Sequence, residues 1–106
     1  MNEMEAVELS FPTYAYLEVR REEAVVLITM RREEKLNAMN RELMAELTDC
    51  FRIVNDLPDA RAAVLTGAGK AFMAGADIGE YREADMGEFV AFQDKGREMY
   101  RSIEMC

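Results

Sequence analysis

Residues 62–78, AAVLTGAGKAFMAGADI, hold the densest set of residues suited to chemistry in this 106-residue chain. A strand-forming run, Val64-Leu65-Thr66, leads into a loop with Gly67, Gly69 and Gly75, with one charge, Lys70, before Asp77. Glycine and alanine leave backbone N–H groups uncovered, so a ligand oxygen can approach the main chain closely. Two or three amides converging on one point would stabilise developing negative charge. The same residues also suit an ordinary strand-to-helix connection, and spacing alone does not separate the two readings. Asp77, Glu80, Glu83 and Asp85 follow closely, and any of them, if buried, could serve as a general base. In a chain with 21 acidic residues such a run reads first as solvated surface.

Two nucleotide readings of this loop fail. A Walker A loop needs a glycine five positions before its Gly-Lys pair and Ser or Thr after it; Val64 and Ala71 stand there. The dinucleotide fingerprint needs a third glycine where Phe72 stands. The chain has no histidine, which excludes His-dependent acid–base chemistry, His-assisted nucleophiles and His-ligated metals within it. Cys50 and Cys106 form no zinc spacing, so no metal is expected, and Cys50 reads as a small buried hydrophobe. A net charge of -8 argues against nucleic acid or an anionic membrane as partner. Arg31, Arg32 and Lys35 cluster in one loop and could meet a phosphate, although each taken singly reads as solvated. The start, MNEMEAVELS, lacks the apolar segment of a secretory signal, and no uncharged apolar run approaches membrane-spanning length. A reduced, cytoplasmic setting is the expectation.

Residues 1–13 read as a mobile leader, and the elements that must position the glycine loop begin at Tyr14. Tyr14 to Arg20 is rich in strand formers, Arg21-Glu22-Glu23 is a polar turn, and Ala24 to Met30 is a continuous apolar run. This predicts a hairpin whose second strand is the more buried. After a charged loop, Arg31 to Asn40, Asn40 can cap a helix that carries Glu42 in its first turn and a Met39–Met44 staple. Leu43, Leu47, Cys50, Phe51, Val54 and Leu57 follow a helical period, and Pro58 ends it. Ala62 to Thr66 is the third strand. Asp85-x-x-Glu88 opens a second helix, whose apolar face runs through Met86, Phe89, Phe92, Gly96, Met99 and Ile103. The nine methionines read as packing, and Asn37 and Asn40 as turn and cap residues. The order β-β-α-β-α predicts an α/β unit with a parallel pair joined through the first helix. Two helices and about three strands cover an apolar sheet only in part, so the chain reads as the front piece of something longer.

KLNAMN at 35–40, AAVLTGAGKAF at 62–72 and AGADI at 74–78, in this order, resemble the enoyl-CoA hydratase/isomerase (crotonase) superfamily over roughly residues 14–106. Glu33 departs from the pattern, standing where many members have proline. The resemblance implies the N-terminal part of a crotonase-like ββα spiral fold. It implies an acyl-CoA substrate, and an enolate-like species whose thioester oxygen is held by two backbone N–H groups. Aligned on AGADI, the first donor is the amide of Ala76; Asp77, Ile78 and Gly79 continue the substrate-contacting segment. Lys35, Leu36 and Ala38 are implied as CoA neighbours, and Ala74 as a neighbour of the adenine. The commonest activity of the family is hydration of a 2-enoyl-CoA; isomerases and thioester hydrolases share this front half. No metal or redox cofactor is implied, since CoA belongs to the substrate, and members assemble as trimers or dimers of trimers. The family's second donor, on a glycine-rich turn, and its catalytic glutamates find no match in residues 79–106. The alternative reading is therefore a non-catalytic fragment that binds CoA weakly.

Overall fold

The computed structural model describes residues 2–75, 77 and 85–105. Three strands form one sheet in the order β1-β2-β3: β1 (Leu17–Glu22), β2 (Val25–Met30) and β3 (Ala62–Gly67). β1 pairs antiparallel with β2, Leu17 facing Met30 and Glu22 facing Val25. β3 runs parallel to β2, with Leu27 opposite Val64 and Met30 opposite Gly67. A parallel pair needs a long crossover, and helix α2 (Arg41–Asp56) supplies it. Helix α1 (Glu3–Ser10) precedes the sheet and helix α3 (Met86–Glu104) follows it. The α/β class and the order β-β-α-β-α from Tyr14 onward are as the sequence predicts.

β2 is the central strand, and Val26, Ile28 and Met30 on one face are fully buried. That face meets Leu43, Leu47, Cys50, Phe51 and Val54 of α2, so the 3.6-residue period of the helix and the period of two in the strand close one core. Burial of each large side chain stabilises by roughly 1.5–3 kcal/mol. Asn40 caps α2 by accepting the Leu43 N–H at 2.8 Å, as expected. Glu46 of α2 ties the start of β1, its carboxylate accepting the N–H groups of Ala15 at 2.6 Å and Tyr16 at 2.8 Å.

The structure departs from the sequence reading in four places. The stretch 1–13, for which no element was foreseen, carries α1; Asn2 caps it, Val7 packs on the core and Phe11 is buried. β1 continues through Arg21 and Glu22, so the hairpin turn is only Glu23-Ala24, with Glu23 at φ 54°. Arg21 stays in the strand because it pairs in register with Val26 and bonds Asp59 at 2.9 Å. On α3, Phe92 and Met99 are buried against α2, but Met86 is 77% exposed and Phe89 is exposed too. The stripe is therefore buried from Phe92 onward, and its first turn is more exposed. The methionines divide likewise: Met30, Met39, Met44 and Met99 are buried, whereas Met4, Met86 and Met105 stand in solvent. Asp85 does cap α3, accepting the Glu88 N–H at 2.8 Å.

Candidate functional site

The loop after β2 and the loop after β3 lie side by side at the same end of the parallel pair. A short 3-10 turn, Glu33–Lys35, begins the first loop. Leu36 and Asn37 then take left-handed backbone conformations, φ 52° and 57°. Asparagine tolerates that region better than other non-glycine residues. The reversal sends 36–39 alongside 74–77, where three backbone bonds form. Ala74 N–H donates to Leu36 O at 3.1 Å, Met39 N–H to Gly75 O at 2.6 Å, and Asp77 N–H to Met39 O at 2.8 Å. Bonds from one residue to the two peptides flanking position 76 are the pattern of a parallel bridge. The two sequence motifs are thus two sides of one backbone ladder.

Asn37 fixes this arrangement to the sheet. It has no exposed surface. Its Oδ1 accepts the Arg32 N–H at 2.9 Å, and its Nδ2 donates to Ala68 O at 2.9 Å and to Ala71 O at 2.8 Å. Gly67 is what lets the loop fold back so tightly: a Cβ there would lie 2.4 Å from Phe72 O and 2.6 Å from Ala71 O. Reading Asn37 as a turn residue was right as far as it went. Its second role, tying the two loops together, has no local signature, because the carbonyls it meets are more than 30 positions away.

Two expectations about charge and amides are corrected. Arg32 is not solvated: its guanidinium is buried, donating to Ala38 O and to Asp77 Oδ2, each at 2.7 Å. Asp77 is correspondingly no solvated carboxylate but half of that ion pair. Arg31 does face solvent, with Glu18 at 3.5 Å. Of the loop amides thought able to converge on an anion, Ala68 donates to Met30 O at 2.9 Å and Ala74 to Leu36 O, so neither offers an open donor. Glu80 and Glu83 lie outside the described residues.

The remaining residues implied by the resemblance are placed as follows. Lys35 is exposed at the end of the 3-10 turn, and Leu36 beside it is 49% exposed. Ala38 is half-buried and Ala74 exposed. Ala76, Ile78 and Gly79 lie outside the described residues. Behind the ladder, a cleft of about 430 Å³ opens between the loop and α3. Met39, Met44, Met73, Gly75, Phe92, Gly96, Met99 and Tyr100 line it, with Gln93 and Arg97 as its polar members. Gly96 faces α2 here, a Cβ at its position standing at an ordinary contact distance of 3.5 Å from Met44 Sδ. Methionine suits such a surface, since its flexible thioether adapts to ligands of varied shape. No group of His, Cys, Asp and Glu suited to a metal occurs among the described residues. No described helix is long and apolar enough to cross a membrane.

Comparison with known proteins agrees with this arrangement. Residues 20–106 match the model of the enoyl-CoA hydratase/isomerase family. The chain is 32% identical over 92 residues to a crotonyl-CoA hydratase of Syntrophomonas wolfei, covering 86% of this chain and 35% of that protein. It is 40% identical over 72 residues to the mitochondrial Delta(3,5)-Delta(2,4)-dienoyl-CoA isomerase of Mus musculus, covering 67% of this chain and 22% of that one. Among solved structures, an enoyl-CoA hydratase/carnithine racemase from Magnetospirillum magneticum superposes with a TM-score of 0.83 at 28% identity, over 92% of this chain and 38% of that one. The chain therefore spans between 22% and 38% of the length of these relatives. With its paired loops, its parallel strands and its match over residues 20–106, the chain belongs to the enoyl-CoA hydratase/isomerase family.

Proposed function

We propose that residues 35–38 and 74–79 form the donor half of an acyl-CoA site, in which the backbone N–H of Ala76 donates to the thioester oxygen of a 2-enoyl-CoA. The observation that carries this reading is the bonding of Met39, which takes Gly75 O and the Asp77 N–H. In the sequence Ala76 stands between those two engaged residues, and the alignment of AGADI with the family's donor loop names its amide as the donor. The cleft beside Gly75 gives an acyl chain an apolar surface to lie against. Lys35, Leu36 and Ala38 then flank the CoA, Ala74 its adenine, and Asp77, Ile78 and Gly79 the acyl portion. Asp77 contributes through its backbone, since its carboxylate is held by Arg32.

The chemistry follows from the donor. Water adds syn across the double bond, its oxygen to C3 and a proton to C2, and negative charge gathers on the thioester oxygen in between. An amide aimed at that oxygen binds the enolate more tightly than the ground-state carbonyl. Losing one such donor costs about 2.7–4 kcal/mol. No metal or redox cofactor is needed, and CoA enters as part of the substrate. Isomerisation of a dienoyl-CoA uses the same enolate stabilisation, and the similarity to a dienoyl-CoA isomerase favours it as the second reading. Assembly as trimers or hexamers and a cytoplasmic setting belong to the same proposal. The family's second donor and the glutamates that handle water find no match in residues 79–106, so the chain by itself is expected to bind without turnover.

The test is the carbonyl stretch of [1-13C]crotonyl-CoA on the purified chain. Binding should lower its frequency, and Ala76→Pro, which deletes the N–H, should restore the free value while CoA itself binds as before. An unshifted carbonyl in the unaltered protein refutes the donor assignment. Rapid loss of the enone absorbance would show that these residues already hold a complete site.

A further inference from the structure

One buried cation in the loop enters the reading above only as the partner of the Asp77 carboxylate. Arg32 is 8% exposed, in the stretch RREEK whose other members all face solvent. Its guanidinium meets three segments at once. Nη1 donates to Ala38 O and Nη2 to Asp77 Oδ2, and the group lies 5.7 Å from the centroid of the Tyr16 ring. Nε is buried and finds no hydrogen-bond partner among the described residues. A charge taken out of water with one N–H unsatisfied is an expensive arrangement. A neighbour such as Arg31 avoids it by turning outward. What distinguishes Arg32 is the placement of its two acceptors: Ala38 lies on the first loop and Asp77 on the second, and Met39 bridges the same two segments.

We propose that Arg32 is a positioning residue for the acyl-CoA site, setting the register of 36–39 against 74–77 rather than meeting a phosphate. The inference rests on the reading given under Proposed function. A planar guanidinium fork spans two acceptors at a fixed separation, which a single ammonium does not. Charge alone is therefore insufficient, and lysine should fail where arginine succeeds. Asn37 holds the backbone of Arg32 from both sides, accepting its N–H and donating to its carbonyl at 2.9 Å each, so the fork starts from a fixed base. In a preorganised site, an error of about 1 Å costs on the order of 100-fold in rate.

The experiment compares Arg32→Lys and Arg32→Gln with the unaltered chain by amide hydrogen exchange, without ligand. Exchange at the Met39 and Asp77 amides should accelerate about 10-fold or more in both variants, as a local opening does, while Val26, Ile28 and Leu65 in the sheet keep their rates. Equal acceleration in the sheet would reduce Arg32 to a general stabiliser, and unchanged rates at Met39 and Asp77 would show that the ladder holds itself; either overturns the proposal. With [1-13C]crotonyl-CoA bound, Arg32→Lys should also lose most of the carbonyl shift at unchanged affinity for CoA, and a full shift would count against the proposal. Failure of the acyl-CoA reading shows differently, as no carbonyl shift in the unaltered protein, and leaves the exchange result to decide the role of Arg32.

Discussion

Asn37→Ala offers the sharpest test of how the two loops are joined. The substitution removes three hydrogen bonds from a side chain with no exposed surface: those with the Arg32 N–H, Ala68 O and Ala71 O. Each such bond contributes about 0.5–1.5 kcal/mol net, and a buried partner left unsatisfied raises the loss. Alanine at φ 57° adds backbone strain of about 1–2 kcal/mol. The sum is about 2.5–6.5 kcal/mol, a large part of the 5–15 kcal/mol typical of a folded domain. Asn37→Gly separates the two contributions. Glycine loses the same three bonds but accepts the left-handed backbone, and its greater freedom in the unfolded chain offsets part of that relief. The glycine variant should therefore be milder than the alanine variant by about 1 kcal/mol or less. The measurement is urea unfolding followed by far-UV circular dichroism, comparing midpoints at constant slope. A loss below about 1 kcal/mol for Asn37→Ala would mean that the loops hold together without their clamp, contrary to the mean worth of buried bonds.

Further predictions concern packing and pH. Gly67→Ala should destabilise by more than about 2 kcal/mol, because its Cβ would strike the backbone of Ala71 and Phe72. Gly75→Ala meets no atom of the described residues within 4 Å but sits at φ 103°, so it should cost the backbone strain, about 1–3 kcal/mol; thermal melts rank the two. Gly96→Ala should stabilise α3 by about 0.5–1 kcal/mol, since the nearest described atom, Met44 Sδ, is at an ordinary contact distance of 3.5 Å; a lowered melting point would show that the packing there has no room for the added methyl. The hydrogen bond from Arg21 holds the Asp59 carboxyl below the usual aspartate value. A depressed pKa contributes stability that is complete above the unfolded value and is lost as the pH falls through the folded one. Asp59→Asn should accordingly flatten the acid limb of the melting temperature below about pH 4; an unchanged limb would show that the Arg21 contact does nothing for the fold.

The parts of this fold that could be read early are those with a local period. Leu43, Leu47, Cys50, Phe51 and Val54 recur at helical spacing, and each is buried. Asn40 and Asp85 stand where caps are needed, and both cap. The apolar run ending at Met30 is the central strand, as its lack of alternation suggests. Misreadings fall where the deciding partner is distant. Arg21 and Glu22 look like a turn until Val25 and Val26 are placed opposite them. Met86 and Phe89 fit the stripe of α3, but the stripe does not say how far α2 extends beneath it.

The sequence by itself determined the secondary elements, their order and the family motifs, because propensity, capping and periodicity act between residues a few positions apart. The backbone bonds that join Leu36 and Met39 to Ala74, Gly75 and Asp77 were decided only in three dimensions. Nothing in the string RREEK distinguishes Arg32 from Arg31, yet one guanidinium is buried against Asp77 and the other faces water. The physical reason is separation: Arg32 and Asp77 stand 45 positions apart. Their meeting depends on the parallel pairing of β2 with β3, which carries both loops to the same end of the sheet.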